Sequence, residues 1–288
     1  MKIGIIGLGL MGGSFSYDIR DLYPNAVISG FDILKENTTT AIELGIISSL
    51  LDIKKISDFD IIIVSVPVDK SIDVLKRVLN NVSKKTLVID VGSTKQKICS
   101  DLKNHINRKN FLAMHPISGT ENSGPYSAKK NIYFNITNII CEPELTSPDL
   151  LDFANTLFKK FNMKIINMDP ASHDQHISYV SHLSHITSFT LAKTVIQKER
   201  NEKNIFDLAG SGFESTVRLA KSSSEMWTPI FLQNKENILE ALNGYIDNLE
   251  ELKELIINND KKSIIKELNN INRVKKILSG INNNNYEK

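Results

Sequence analysis

The sequence predicts an α/β fold, with a doubly wound parallel sheet in the N-terminal part and an all-α C-terminal part. Short apolar and β-branched runs alternate with helical segments up to residue 168, a pattern typical of mostly parallel sheets. Several of these runs are continuously apolar, as is expected of strands that are covered on both faces. After Asp169-Pro170 the candidate strands stop and only long helical patterns follow.

The order of these elements predicts two domains, 1–168 and 169–288, which the length of 288 residues allows. The predicted strands are 2–6, 26–31, 61–66, 86–91, 111–114, 136–141 and 164–166. The predicted helices of the first domain include 14–22, 35–44 and 71–78, and those of the second are 172–198, 213–221, 228–257 and 263–278. The asparagine-rich end, 282–288, is expected to fray.

Composition excludes several classes of protein. The net charge of +2 is too balanced for binding to nucleic acid phosphates to be the main function. Cys99 and Cys141 cannot build a disulfide framework and fit a reducing compartment. No stretch approaches the roughly 20 apolar residues of a transmembrane helix, and five glycines within the first 13 residues argue against a signal peptide. We therefore expect a cytoplasmic protein without membrane or nucleic acid partners.

A G-x-G-x-x-G motif at residues 7–12 predicts a Rossmann-like dinucleotide site. It follows a predicted strand, opens a predicted helix, and has Asp32 twenty residues beyond it at the end of the second strand. Such glycines allow a tight turn, approach of a pyrophosphate and close packing of helix on strand, while the acid binds ribose hydroxyls and repels a 2′-phosphate. The predicted cofactor is therefore NAD, contacted by Gly7, Leu8, Gly9, Leu10, Met11, Gly12 and Asp32.

Other strand ends supply further candidates, because ligands bind at the carboxyl ends of the strands in such sheets. Ser65 and Pro67 are predicted to bring loop backbone over the cofactor or, alternatively, simply to begin a loop. Ser93 either caps the next helix or orients a substrate hydroxyl. His115 is suited to accept a proton from an alcohol as hydride leaves, although a lone histidine is more often structural.

The helical half carries a second group of candidates. His173, His176, His182 and His185 crowd one predicted helix, but their spacing and the scarcity of suitably placed acids argue against a metal site, and no metal is expected. His182 and His185 share a helix face and are predicted to line a polar pocket. The planar guanidinium group of Arg218 is suited to bind a carboxylate through two hydrogen bonds. Alternatively, Arg218 forms a surface ion pair with Glu214. Trp227, the single tryptophan, is by itself typical of a core or interface anchor.

Together the motifs resemble the prephenate/arogenate dehydrogenase family, nearly from end to end. The first motif is shared by many dinucleotide enzymes, whereas HP-x-x-GTE combined with SHL-x-H and the late tryptophan is far more specific. The resemblance rests on GLGLMGGS at 7–14, DVGSTK at 90–95, HPISGTENSG at 115–124, DPASHD at 169–174, SHLSH at 181–185, GSGFESTVRLAKS at 210–222 and MWTPIFLQNKENI at 226–238.

This resemblance implies oxidative decarboxylation of prephenate to 4-hydroxyphenylpyruvate with NAD, in tyrosine biosynthesis, by a homodimer joined through its helical domain. It implies that His115 polarises the ring hydroxyl and that Ser93 orients it. Glu121 is expected to pair with Arg218 and to gate the cleft. The residues expected to bind the substrate are Thr120, Glu121, His182, His185, Arg218 and Trp227.

Two positions depart from the family pattern: Ser184 stands where relatives often have proline, and Ser215 where they often have an acid, for which Glu214 is a possible substitute. Arogenate and dual-specificity enzymes remain alternatives, and His185 suits a pyruvyl group better than an ammonium. A β-hydroxyacid dehydrogenase and a non-catalytic NAD sensor are the more distant alternatives. Turnover of NAD with each candidate substrate separates these hypotheses.

Overall fold

The computed structural model describes residues 1–200, 202 and 204–279. Among them, eight strands form one sheet in the order β3-β2-β1-β4-β5-β6-β7-β8. All neighbouring pairs are parallel except β6 with β7. The strands are β1 (Lys2–Ile6), β2 (Val27–Phe31), β3 (Ser49–Leu50), β4 (Ile61–Val64), β5 (Leu87–Asp90), β6 (Phe111–Pro116), β7 (Thr137–Cys141) and β8 (Lys164–Asn167).

The predicted α/β fold class is confirmed. Each strand predicted from the sequence is present within a few residues, and only the two-residue β3 was missed, because it is too short to show a pattern. Apolar residues fill both faces of the central strands: in β4, Ile61 and Ile63 belong to one core cluster and Ile62 and Val64 to the other. All four are at most 1% exposed, which accounts for the unbroken apolar run.

Helices connect most of the strands and make up most of the described residues after β8. In the first part they are α1 (Leu10–Leu22), α2 (Lys35–Glu43), α3 (Val68–Leu79), α4 (Gln96–Leu102) and α5 (Pro148–Lys160). Later come α6 (Pro170–Ile177), α7 (Leu183–Glu199), α8 (Ser211–Val217), α9 (Ser224–Gln233), α10 (Lys235–Ile257) and α11 (Lys261–Ile271). Helix α4 was anticipated only as the helix that follows Ser93, without bounds, and α5 was not predicted, although Ser147-Pro148 is a recognisable helix start.

Three of the long helices predicted from the sequence are interrupted. The expected helix 172–198 consists of α6, a π-helical turn at Ser178–His182, and α7. The expected helix 228–257 is broken at Asn234, whose backbone leaves the helical region while its side chain bonds elsewhere in the fold. The expected helix 263–278 is interrupted by a turn at residues 272–273. Apolar periodicity does not detect such breaks, because the apolar residues on both sides keep the same spacing.

The backbone contacts divide the chain into two compact units, Met1–Lys235 and Glu236–Lys288. The candidate site described below lies wholly in the first unit. The proposed domain division at residue 168 stays a prediction, and the fraying expected at 282–288 falls outside the described residues. No helix in the described part of the chain is long and apolar enough to span a lipid bilayer.

Candidate active site

The parallel strands end at one edge of the sheet, and the predicted nucleotide-binding and catalytic residues of the first half follow these ends. Register pairs Ile6 with Val64 and Val64 with Asp90, so that β1, β4 and β5 finish side by side. On β6, His115 lies two residues beyond the partner of Asp90. The fold therefore gathers this part of the predicted site along one carboxyl edge, as expected for a doubly wound sheet.

The glycine motif forms a tight turn between β1 and α1. Gly7 has a φ of +93°, and a Cβ there would lie 2.4 Å from the carbonyl oxygen of Ser65. A Cβ on Gly12 would lie 2.1 Å from the carbonyl oxygen of Gly7. At Gly9, by contrast, the nearest atom to an added Cβ is 3.9 Å away. Protein packing thus requires glycine at the first and third positions of the motif. At the second position, Gly9, the space is open, and this open cradle lies at the N-terminus of α1, which no side chain caps. A pyrophosphate suits this position, because a helix N-terminus favours negative charge.

Asp32 links this turn to the loop after β2. Its Oδ2 accepts a hydrogen bond from the backbone N–H of Leu8 at 2.8 Å. Its Oδ1 accepts from the backbone N–H of Leu34 at 2.9 Å and from Nδ2 of Asn37 at 3.2 Å. The carboxylate is half-buried and held beside the open cradle, where its negative charge suits ribose hydroxyls and disfavours a 2′-phosphate.

Ser65 and Pro67 lie at the same edge in different settings. The hydroxyl of Ser65 donates to the carbonyl oxygen of Gly7 at 2.7 Å and thereby supports the glycine turn. Pro67 is exposed and precedes the first turn of α3, so the strand ends earlier than predicted, at Val64. Their contact with a cofactor stays a prediction.

His115 is bonded to a second histidine. Its Nδ1 lies 2.8 Å from Nε2 of His173, and the Nδ1 of His173 lies 2.7 Å from Oδ1 of Asp174. Burial lowers the pKa of His115 well below its usual 6.5, and the nearby His173 and Lys95 lower it further. A neutral imidazole at the carboxyl edge can accept a proton from a substrate alcohol.

Asn234 anchors a further histidine. Its Nδ2 donates to the carbonyl oxygen of Asp174 at 2.7 Å and lies 3.1 Å from Nδ1 of His182. Because an amide nitrogen only donates, Nδ1 of His182 is the acceptor, and the proton of its neutral ring is on Nε2. Burial lowers the pKa of His182 to about 4. Its buried Nε2 makes no hydrogen bond within the described structure; that this N–H donates to a substrate oxygen stays a prediction.

His185 and Trp227 form a stacked pair with ring centroids 3.5 Å apart. The Nδ1 of His185 lies 3.0 Å from the carbonyl oxygen of Ser181, so this nitrogen carries the proton and Nε2 is bare in the neutral ring. Burial lowers the pKa of His185, and the charge of Arg218 adds to this effect. Trp227 belongs to the same small buried cluster as Val68, at the start of α3. The π-helical turn and this stacking bring both predicted pocket histidines onto Trp227.

Arg218 pairs with Glu121 across the site, with 2.7 Å between its guanidinium nitrogen and Oε2. The pKa of Glu121 is lowered, first by its own backbone N–H and then by the charge of Arg218. The alternative pair of Arg218 with Glu214 is not formed, because the guanidinium bonds to Glu121 and Glu214 lies 4.0 Å from Lys221. The role of Glu214 as a substitute for the acid expected at position 215 stays a prediction. The side chain of Arg218 is half-exposed and able to exchange this partner for a substrate carboxylate.

The loop that carries Thr120 and Glu121 lies over the glycine turn. A Cβ added at Gly119 would lie 4.0 Å from the side chain of Leu10, and the Cβ added at Gly9 has Gly124 as its nearest neighbour. Thr120 is half-buried, and its hydroxyl accepts from the backbone N–H of Asn122 at 3.3 Å. The loop thus brings the predicted substrate residues next to the cofactor cradle.

Ser93 does not cap a helix. Helix α4 begins later, with Lys95 at its cap and no side chain bonded there. The hydroxyl of Ser93 makes no hydrogen bond within the described residues, which leaves it available to a ligand. Next to it, the buried ammonium of Lys95 is bonded to the carboxylate of Asp90. No group of three or more histidine, cysteine or acidic residues able to hold a metal is found in the described part of the chain.

Sequence reasoning missed the partners of His115 and His182. His173 was considered only as a metal ligand, and Asp174 and Asn234 were not considered as site residues. Side chains of adjacent residues in a helix do not usually meet, so the sequence HD gave no reason to expect a bond between His173 and Asp174. The signal that was available is the Asp169-Pro170 start of α6, which places this pair near the beginning of the first helix after the last strand.

Comparisons with known proteins agree with this geometry. The family model "Prephenate dehydrogenase, nucleotide-binding domain" matches residues 15–167. The family model "Prephenate dehydrogenase, dimerization domain" matches residues 169–270. The first match begins after the glycine motif, so the cofactor turn supports the assignment independently of it.

Individual relatives cover nearly the whole chain. The prephenate dehydrogenase of Lactococcus lactis is 31% identical over 268 residues, which are 91% of this chain and 73% of that protein. The crystal structure of Aquifex aeolicus prephenate dehydrogenase with hydroxyphenyl propionate and NAD+ has a TM-score of 0.86 and 34% identity, covering 96% of this chain and 97% of that one. Synechocystis arogenate dehydrogenase has a TM-score of 0.75 and 27% identity, covering 96% and 100%.

Proposed function

The chain belongs to the prephenate dehydrogenase family, and we propose that it catalyses the NAD-dependent oxidative decarboxylation of prephenate to 4-hydroxyphenylpyruvate and carbon dioxide, a step of tyrosine biosynthesis. The observation that carries the proposal is a neutral His115 at the carboxyl edge of the sheet, next to a glycine cradle of the dinucleotide-binding type. Bound NAD supplies the acceptor for the hydride that leaves the hydroxyl-bearing ring carbon.

The residues of the chain have separate tasks in this reaction. His115 accepts the proton of the ring hydroxyl, and Ser93 orients that hydroxyl. As the carbonyl forms, the ring carboxylate leaves as carbon dioxide because its loss makes the ring aromatic. The electron pair of the broken bond passes to the ring oxygen as a phenolate, which takes the proton back from His115 to give the phenol. Arg218 binds a substrate carboxylate by leaving Glu121, and the Nε2–H of His182 donates to a substrate oxygen. Placement rather than strong electrophilic activation supplies most of the catalysis.

Arogenate is the second candidate substrate, and His185 is the observation that favours it. Arogenate carries an ammonium where prephenate carries a keto group. The Nδ1 of His185 donates to a backbone carbonyl, which leaves Nε2 as an acceptor in the neutral ring. An acceptor suits an ammonium better than a keto oxygen, in contrast to the expectation from the sequence. The orientation of His185 therefore makes dual specificity the alternative to strict use of prephenate.

The helical half of the chain is proposed to join two copies into a homodimer, in keeping with the family model that matches residues 169–270. A dimer places each active site near a two-fold interface. We further infer a cytoplasmic enzyme, since both cysteines are free and buried.

The proposal is tested by following reduced cofactor while the protein is incubated with NAD and prephenate, arogenate or 3-hydroxyisobutyrate. We expect turnover with prephenate, formation of 4-hydroxyphenylpyruvate and carbon dioxide, and a weaker reaction with NADP. Turnover of 3-hydroxyisobutyrate alone would indicate a β-hydroxyacid dehydrogenase. Tight NAD binding without turnover of any of the three would indicate a cofactor sensor.

A further inference from the structure

We propose that His173 and Asp174 are positioning residues that hold His115 in the tautomer with a bare Nε2, the form that accepts the proton of the substrate. The inference deepens the proposed function and rests on it, because His115 matters as a base only if an alcohol is oxidised in this site. Neither residue needs to touch the substrate; both act through the ring of His115.

The proposal starts from the chain of bonds behind His115. The two imidazole rings meet edge to face, with centroids 5.0 Å apart and planes inclined by 69°. The contact joins Nδ1 of His115 to Nε2 of His173 at 2.8 Å. Only one hydrogen can occupy this contact, so the tautomer of one ring fixes that of the other.

Asp174 determines which atom donates and which accepts in these hydrogen bonds. Its Oδ1 accepts from the backbone N–H of Lys95 and from Nδ1 of His173, both at 2.7 Å. Its Oδ2 accepts from the backbone N–H of Gln96 at 3.0 Å. The carboxylate thus receives hydrogens from three sides, and the hydrogen between it and His173 lies on the histidine nitrogen.

The remaining protons follow in sequence. With its hydrogen on Nδ1 and the single hydrogen of the other contact on His115, the ring of His173 presents a bare Nε2, which accepts from His115. The Nδ1 of His115 then carries the proton, and its Nε2 carries the lone pair. A carboxylate that acts on a catalytic base through the ring nitrogen remote from the substrate is a known way to select the productive tautomer. Here a second histidine extends that arrangement by one residue.

Burial makes the arrangement rigid. His173 is fully buried and Asp174 is 2% exposed, so water does not compete for these bonds. The backbone carbonyl of Asp174 is bonded to Asn234, which fixes the same turn of α6 from the other side. Without His173, the ring of His115 is free to populate both neutral tautomers, of which only one can take the proton.

The decisive measurement is long-range 1H–15N NMR of histidine-labelled protein, which distinguishes protonated from bare ring nitrogens without any substrate. In the wild type, at a pH where His115 is neutral, we expect its proton on Nδ1. In His173→Leu we expect the signal to move toward a mixture of tautomers. His176→Gln, an exposed histidine on the same helix, is the matched control and should leave the His115 signals unchanged.

Kinetics provide the second readout. We expect His173→Leu to lower kcat by about 10-fold to 100-fold, because loss of a working base costs about 10² or more, while KM for prephenate and the Kd for NAD stay within about twofold. His173→Gln keeps an acceptor near the position of Nε2 and should recover at least about half of the loss on a logarithmic scale. Asp174→Ala should lower kcat in the same direction, with NAD binding as the check that the first unit is folded.

The outcomes separate the two proposals. A proton on Nε2 of His115 in the wild type, the result expected if His173 were cationic and donated to it, overturns the positioning role whatever the turnover. A His173→Leu variant that keeps the wild-type tautomer and kcat also overturns it, as does a fall in kcat that His173→Gln does not relieve. The expected tautomer without turnover of prephenate or arogenate leaves the assignment of the protons intact and refutes the proposed function instead.

Discussion

Acidification should destabilise the first unit through His182. The pKa of this buried ring falls from 6.5 to about 4 on folding. Between these values the unfolded chain binds a proton that the folded chain does not, so the stabilising contribution is complete above about pH 6.5 and is lost as the pH falls toward 4. Linkage with these two pKa values gives a loss of about 2 kcal/mol in the free energy of unfolding between pH 7 and pH 5.

The side chain of Trp227 offers a reporter for this effect, because it contacts His182 and is the only tryptophan of the chain. Urea unfolding followed by tryptophan fluorescence at pH 7 and pH 5 gives the change in free energy for each variant. We expect this change to be smaller by about 2 kcal/mol in His182→Leu than in the wild type, since leucine binds no proton. In the control variant His176→Gln, which removes an exposed histidine, the dependence should match that of the wild type.

The difference between pH values is the decisive quantity, because the substitution also alters packing and removes the bond to Asn234 at both pH values. An identical loss of stability on acidification in the wild type and in His182→Leu would refute the reasoning. Such a result would mean that His182 is protonated in the folded protein as readily as in the unfolded chain, and that its Nδ1 is not the fixed acceptor of Asn234.

Three further predictions concern the reaction. His115→Asn should lower kcat by about 10² or more with the Kd for NAD unchanged, and a near-normal kcat would exclude His115 as the base. Arg218→Ala should raise KM for prephenate about tenfold or more, the scale of a charge-assisted hydrogen bond. The control Glu121→Gln keeps the arginine and should not raise KM. An unchanged KM in Arg218→Ala would mean that Arg218 forms only a surface ion pair. Asp32→Asn should narrow the preference for NAD over NADP about tenfold, because the repulsion of the 2′-phosphate is lost, and an unaltered ratio of the two kcat/KM values would contradict the ribose contact.

The parts of the fold that depend on local pattern were predictable from the sequence. Four consecutive apolar residues at 61–64 identify a strand covered on both faces, because exposed positions would otherwise alternate with buried ones. The glycines were equally informative: positions 7 and 12 admit no side chain in the folded turn, so the backbone geometry itself requires them. Patterns of this kind report on neighbours a few residues away, which the sequence lists directly.

The parts that depend on contacts between distant residues were not predictable in the same way. The capping role considered for Ser93 was plausible from its neighbours alone, yet the helix starts later, where backbone N–H groups of residues 95 and 96 donate to Asp174. The bond from the N–H of Lys95 to Asp174 joins residues that are 79 positions apart in the sequence. The break of the predicted helix at Asn234 has a similar origin, because its side chain bonds to residues 52 and 60 positions away.

These long-range bonds explain how one set of histidines can perform the two tasks proposed for them. His115 and His182 both connect to Asp174, one through His173 and the carboxylate, the other through Asn234 and the backbone carbonyl. The connection through the carboxylate leaves Nε2 of His115 without a hydrogen, whereas the connection through the amide of Asn234 leaves a hydrogen on Nε2 of His182. A proton acceptor and a proton donor therefore arise from the same residue type at neutral pH. The tautomers follow from which group lies behind each ring, and the composition of the site alone does not determine them.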